Sequence, residues 1–344
     1  MARRFEAISV LMLLSAATFS QTGGNNVYGF LNLTHSALVS SLGGSNVSLT
    51  GRNLNLAWNN PALLDSEMDR SLALNYVNYF AGINYGLAIY SPSLNGAGNI
   101  AGGITYLNYG SFTEADASGN ITGSFSASES ALSVIYSREL DSMFSAGINF
   151  KPVISTLERY TSLGLALDLG VSWHNRQNLI SAGIVLRNMG GQITSYAGEP
   201  GGNTPFEVMA GLSARLKHAP FRFSLTLRHL EKYDLTYTYN YSDSEGNQEK
   251  IASEFLENMF RHVVAGIEVI PHKSFYMSIG YNHQRRSELR TESRASGTGF
   301  SWGFGINASV MSVEFGHASY HLAGASNNVS LIMRPDLLYK KFRN

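Results

Sequence analysis

The sequence predicts an all-β protein: a 14-stranded antiparallel transmembrane β-barrel with an N-terminal plug segment. Three observations predict it. Apolar side chains recur with period two over segments longer than ordinary soluble strands, the connections between them alternate short and long, and the composition is poor in charge and rich in glycine and aromatics. Charged residues make up 15% of the 344, against about 25% in an ordinary soluble domain. There are 34 Gly, 18 Tyr, 18 Phe and no cysteine.

The opening residues read as an address. Arg3 and Arg4 precede a short apolar run, Ile8 to Ala17, and small residues at Thr18 and Ser20 precede Gln21. This is the pattern of a secretory signal peptide over 1–20. The run is too short for a membrane helix, which needs about 20 apolar residues. Residues 21–70 carry small-residue and turn signals and form a lead-in segment. A ring of fourteen strands encloses more volume than its wall side chains fill, so this segment is expected to sit inside as a plug.

The barrel is expected over 71–334. Its strands lie near 71–80, 83–91, 98–109, 125–137, 143–151, 161–174, 178–188, 205–216, 221–229, 261–270, 274–283, 299–308, 311–319 and 327–334. The alternation is plain in Phe221, Phe223, Leu225 and Leu227 against Arg222, Ser224, Thr226 and Arg228. It recurs in Phe300, Trp302, Phe304 and Ile306 against Ser301, Gly303, Gly305 and Asn307. A period of two places each set on its own face of the strand. The apolar face must look at lipid, because an Arg at mid-membrane costs roughly 2–4 kcal/mol on a barrel. Tyr76, Tyr79, Tyr90, Tyr106, Tyr109, Tyr136 and Trp173 lie toward strand ends, where an aromatic girdle is expected.

The connections sort by side. Tight turns follow most even strands, at 139–142, 175–177, 218–220, 271–273 and 308–311. Long loops follow most odd ones, at 110–124, 152–160, 189–204, 230–260, 284–298 and 320–326. Short periplasmic turns and long outer loops are the outer-membrane pattern, and they set both termini in the periplasm. Helical spacing in Ile251, Phe255, Leu256, Met259 and Phe260 predicts a short helix near 249–261. Residues 335–344 form a basic periplasmic tail.

No catalytic constellation, cofactor motif or metal cluster stands out. Gly96 to Ala101 matches G-x-G-x-x-A, but no βαβ unit surrounds it. His317 and His321 straddle a strand end, so they do not share a face. The near-neutral balance of 25 basic and 25 acidic residues argues against nucleic acid. The candidate sites are partner-binding positions on the outer loops: Tyr196, the stripe Tyr237, Tyr239 and Tyr241, Phe255, Arg285, Arg286, Tyr320 and His321. Arg285 and Arg286 with Arg290, Arg294, Glu288 and Glu292 are expected in a solvated hairpin, or facing lipopolysaccharide phosphates or a partner's carboxylates.

Three blocks carry a resemblance. Phe30-Leu31-Asn32-Leu33, Ser36 to Gly44 and Asn59-Asn60-Pro61-Ala62-Leu63-Leu64 resemble the lead-in of FadL-like outer-membrane barrels, which implies that Gly43, Gly44, Asn60 and Pro61 belong to a plug inside or beneath the ring. With Gly280 to Leu289 and Tyr320 to Asn327, the chain is similar to the PorQ-like family of type IX secretion components. That resemblance implies a non-enzymatic member of an outer-membrane attachment complex. Such a member would hold a PorZ-like surface protein through its outer loops, beside PorU-like and PorV-like components and lipopolysaccharide. The alternative is a FadL-type transporter of hydrophobic small molecules, against which Arg222, Arg228, Glu268 and Glu314 on the inward face weigh. Purified protein is expected to release no fatty acid from phospholipid or ester substrates. Turnover abolished by substituting one Ser would overturn that expectation.

Overall fold

The computed structural model describes residues 26–94, 96, 98–196, 201–235, 255–289, 297–321 and 324–337. The signal segment 1–20, Tyr237, Tyr239, Tyr241, Arg290, Glu292, Arg294 and most of the tail lie outside the described residues. The fourteen strands are β1 (Ser71–Asn78), β2 (Asn84–Ser91), β3 (Asn99–Ala115), β4 (Ile121–Glu139), β5 (Phe144–Leu157), β6 (Tyr160–His174) and β7 (Ile180–Thr194), then β8 (Glu207–Arg215), β9 (Phe221–Leu227), β10 (Val263–His272), β11 (Phe275–Asn282), β12 (Phe300–Asn307), β13 (Met311–His321) and β14 (Gly324–Met333). Each pairs antiparallel with its sequence neighbours, and β14 returns to β1, from Leu72↔Met333 to Asn78↔Asn327. No strand edge is left open, which is what hydrocarbon demands of a sheet.

The faces fall as the alternation predicts. Phe221, Phe223, Leu225, Phe300, Trp302, Phe304 and Ile306 are exposed outward, while Ser224, Thr226, Ser301 and Glu268 are buried inside. Two aromatics depart from the expected girdle. Tyr79 packs inward among Tyr85 and Tyr320, at ring distances of 5.8 and 5.2 Å. Tyr109 turns in to donate its Oη–H to Glu129 Oε2 at 2.6 Å. Both have a polar tip, and an inward partner satisfies it.

Four loop expectations are corrected, and the first is 320–326, most of which is strand because β13 runs to His321 and β14 starts at Gly324. Residues 110–124 are mostly strand, since β3 runs to Ala115 and β4 starts at Ile121. Residues 152–160 are likewise mostly strand, turning at Glu158 with φ 57°. At about 3.4 Å per residue the 19 residues of β4 exceed the roughly 30 Å of hydrocarbon even when tilted. Above the lipid the outer face need not be apolar, so pairing continues where alternation stops. The hairpin expected around Arg285 and Arg286 is instead helix α4 (His283–Leu289). Asn282 Oδ1 caps it by accepting from Arg285 N at 2.9 Å. The helix in the longest loop, α3, spans Phe255–Arg261.

Residues 26–70 run inside the ring. Helix α1 (Ala37–Ser41) is capped by Ser36 and ends at Gly43 and Gly44, whose φ of 98° and 91° suit only glycine. Helix α2 (Leu56–Asn59) and a 3₁₀ turn (Pro61–Leu63) follow. The segment reaches opposite walls: Ala37 N donates to Ser330 Oγ at 2.9 Å, and Ser48 Oγ pairs with Ser213 Oγ at 2.7 Å. Leu38, Leu42, Leu49, Leu54, Leu56 and Leu64 form the core with Ala73, Leu87, Ile89 and Ile135 of the wall. Contact this close requires glycine on the wall. A Cβ at Gly280 would overlap the backbone of Leu42 and Gly43, and one at Gly316 would overlap the Ala37 carbonyl. Gly280→Val and Gly316→Val are expected to cost about 1–3 kcal/mol each in urea titrations in bilayers. Gly102→Val, which faces outward with no side-chain neighbour within 4 Å, should stay within about 0.5 kcal/mol. Equal losses at all three would refute the packing.

Candidate functional site

The interior is polar as well as filled. Lys151 Nζ lies 2.7 Å from Asp168 Oδ1, with both side chains buried. The pair is completed by neighbours: Asn188 N donates to Asp168 Oδ1 at 2.7 Å, and Asn149 Nδ2 donates to Oδ2 at 3.1 Å. Arg222 grips Glu268 through two bonds of 2.6 Å, from positions directly opposite on β9 and β10. Arg228 holds Glu207 the same way, at 2.7 and 3.1 Å. Removing one partner of such a pair leaves a buried charge, typically at a cost of about 3–5 kcal/mol. Glu314 accepts from Asn53 Nδ2 at 2.8 Å. The inward charges singled out in the sequence are thus here, tied to each other or to the N-terminal segment. Alternation gave no sign that Lys151 and Asp168 meet, because they sit diagonally on adjacent strands.

At the end with the tight turns lies a recess of about 790 Å³, lined by Thr50, Arg222, Glu268, Lys273, Glu314 and Arg334 among others. Leu38, Leu56, Ile270, Tyr276, Ile332 and Met333 line it too, so the recess is mixed: an apolar wall with the Arg222–Glu268 pair and Glu314 set into it. Among the described residues no group of three His, Asp or Glu could hold a metal.

The N-terminal candidates interlock with the wall. Gly43 N donates to Ser301 Oγ at 2.9 Å, and Gly43 O accepts from Asn282 Nδ2 at 3.1 Å. Gly44 O accepts from Thr34 Oγ1 at 2.5 Å. Asn60 Nδ2 donates to Val47 O and to Val171 O, and its Oδ1 caps the turn that Pro61 opens. Gly147 and Gly170 of the wall leave room for Pro61 and Asn60.

The outer-loop candidates divide. Arg285 turns inward: its guanidinium carbon lies 4.0 Å from the Tyr320 ring centroid, and Nη2 donates to Tyr320 Oη at 3.2 Å. Tyr320 also packs on Phe80. These two thus join α4 and β13 over the Gly43–Gly44 turn. Arg286 stays outside, 5.9 Å from the outward ring of Phe300. Tyr196 donates to Ser155 Oγ at 2.5 Å. Phe255 is exposed, and the backbone of His321 pairs with Gly324.

His35, which the sequence did not flag, is buried between Trp58 and Tyr85, edge-on at 5.3 and 5.2 Å. Neither ring nitrogen has a partner. Burial, helped by Arg187 and Lys151, pushes its imidazole from 6.5 down to about 3. The folded state therefore prefers the neutral ring. Its contribution is whole above pH 6.5 and is lost as pH falls toward 3. By pH 4 this is about 3 kcal/mol. His35→Phe keeps the edge contacts and should make the fall in stability between pH 6.5 and 4 shallower in urea titrations. An unchanged slope would refute the assignment.

No known protein family and no curated protein matches the sequence. Solved structures do. A TodX monoaromatic hydrocarbon channel mutant shares 12% identity at a TM-score of 0.54, covering 87% of this chain and 97% of its own. The Pseudomonas putida toluene transporter TodX shares 10% at 0.51, over 90% and 98%. At that identity the likeness is one of fold. With the apolar outer belt and the closed ring, it makes the chain an integral outer-membrane barrel of fourteen strands that shares the fold of these channels.

Proposed function

We propose that the barrel is a non-enzymatic membrane anchor that holds a surface protein through its outer loops, as a component of a type IX attachment complex. The observation that carries this reading is the occupied interior. The N-terminal segment bonds to facing walls, and buried ion pairs bridge neighbouring strands, so the ring is braced as a post. Strands β3 and β4 rise past the lipid as a paired hairpin, with Phe112 stacked on Phe125 at 5.2 Å. A stiff projection costs little ordering on binding, which suits a docking element. The sequence resemblance supplies the partner class: a PorZ-like protein, with PorU-like and PorV-like components and lipopolysaccharide nearby.

The fold comparisons favour a second reading, a channel for hydrophobic small molecules, and lend nothing to the first. The solved relatives are named as a hydrocarbon channel and a toluene transporter. Against carrying that activity over stand the ion pairs inside the ring, Lys151–Asp168, Arg222–Glu268 and Arg228–Glu207, although the recess at the tight-turn end also offers apolar side chains such as Leu38, Leu56 and Ile332. One experiment separates the two. Replacing residues 110–126 with a short turn keeps the pairing below Asn108↔Ser128. The anchor reading expects a folded barrel that no longer co-purifies with its surface partner, and proteoliposomes of the full chain that admit toluene no faster than empty ones. Retained partner together with rapid toluene entry would replace the anchor with the channel.

A further inference from the structure

Helix α3 is amphipathic the wrong way round for a helix in water. Asn258 and Arg261 on its polar side face the protein, while Glu257 stays at the surface and accepts from Arg261 Nη2 at 2.9 Å. Asn258 is buried, donates to Tyr233 O at 2.6 Å and accepts from Leu235 N at 2.9 Å. Arg261 Nη1 donates to Leu235 O at 3.3 Å. Its apolar side faces away: Phe255 is 65% exposed, Leu256 57%, Met259 44% and Phe260 49%. These values match the wall residues that look at lipid, such as Leu225 at 43%, Trp302 at 50% and Ile279 at 61%.

The position of the helix says what covers that face. Arg261 is followed at once by β10, so α3 sits on the outer rim of the wall. A run of rings joins it to the lipid-facing belt. Phe260 lies 5.8 Å from His283, His283 6.0 Å from Tyr281, and Tyr281 5.0 Å from Phe300. Tyr281 and Phe300 are cross-strand partners on the outward face. Arg286 reaches over the same Phe300 ring, which is where a cation meets lipid head groups at a membrane surface.

We propose that α3 lies in the outer leaflet, with Phe255, Leu256, Met259 and Phe260 among lipid acyl chains, and so extends the barrel's lipid belt beyond its strands. The exposed apolar side is then in its proper solvent, and the loop between β9 and β10 is tethered to the membrane surface. Burying four such side chains favours insertion in proportion to the apolar area withdrawn from water. The proposal does not depend on which protein, if any, the other loops hold.

The chain has no cysteine, so single replacements carry a nitroxide label cleanly. Full-length Leu256→Cys and, separately, Met259→Cys are labelled and reconstituted in phosphatidylcholine vesicles. Leu225→Cys serves as the lipid reference and Asp116→Cys, at a hairpin tip, as the aqueous one. The proposal expects both α3 labels to relax with dissolved oxygen and to lose relaxation by an aqueous nickel chelate, as Leu225→Cys does. Relaxation by nickel like that of Asp116→Cys would overturn it. Shielding from both reagents would also overturn it, since a protein surface or a second copy would then cover the helix. Both sites are exposed, so neither replacement removes core packing.

Discussion

Hydrocarbon cannot hydrogen-bond a peptide group, and most of this architecture follows from that. A sheet in lipid must close, because an open edge would leave a column of unpaired N–H and C=O groups. Closure between β1 and β14 solves the backbone problem and creates another. A ring of fourteen strands is too wide for its own side chains to fill. The chain answers with residues 26–70, which enter the ring with short helices, tight turns and small side chains. Glycines on the inward face are the other half of that answer. Without them the backbone of residues 37–62 could not come within bonding distance of the wall. The close fit at Gly280, Gly316, Gly147 and Gly170 is therefore a consequence of membrane closure.

The same constraint sorts the charges. Arg222, Arg228, Lys151, Asp168, Glu207 and Glu268 all stand on one face of their strands, because the other face meets lipid. Once inside a filled ring they cannot rely on water. They are joined in pairs, and the remaining donors and acceptors go to Asn149, Asn188 and the carbonyls of the N-terminal segment, as Arg187 does with Leu31 O at 3.2 Å. Buried pairs of this kind are weak contributors to stability against an apolar alternative. Their strength lies in direction. The bidentate Arg222–Glu268 and Arg228–Glu207 bonds tie β8, β9 and β10 at fixed register, next to the longest loop.

How much of this was legible depended on solvent contrast. Where one face meets lipid and the other does not, alternation gave the strand count, the order and the side of each residue. Phe221 to Arg228 is the clear case. Where both faces meet water, the contrast vanishes, and β3 and β4 continued unseen through Phe112 and Phe125. Tyr79 and Tyr109 misled for a related reason: an aromatic at a strand end suits the girdle, and only a three-dimensional partner such as Glu129 shows that it turns in. The Arg-rich stretch around Arg285 looked like a solvated turn because its cap, Asn282, belongs to the preceding strand. Gly43, Gly44, Asn60 and Pro61 could be picked out by the resemblance of their blocks to the lead-in of known barrels. Their partners on distant strands could not, and neither could His35, whose place is set by Trp58 and Tyr85 together.

A barrel whose interior is largely taken up by its own chain has three surfaces left for contact: the outer loops, the lipid belt and the recess at the tight-turn end. The likeness to hydrocarbon channels fixes the shape of the ring, and the shape follows from closure whatever the ring does. What differs between one such barrel and another is what fills the lumen and what stands above the rim. Here the lumen carries paired charges. Above the rim, Arg285 and Tyr320 join two outer elements directly over the Gly43–Gly44 turn. The outer surface is thereby coupled to the segment that fills the ring. Under the proposed anchor role, a load on α4 or β13 would meet the packed interior through Arg285, Tyr320 and the Gly43 carbonyl before it could bend a free loop.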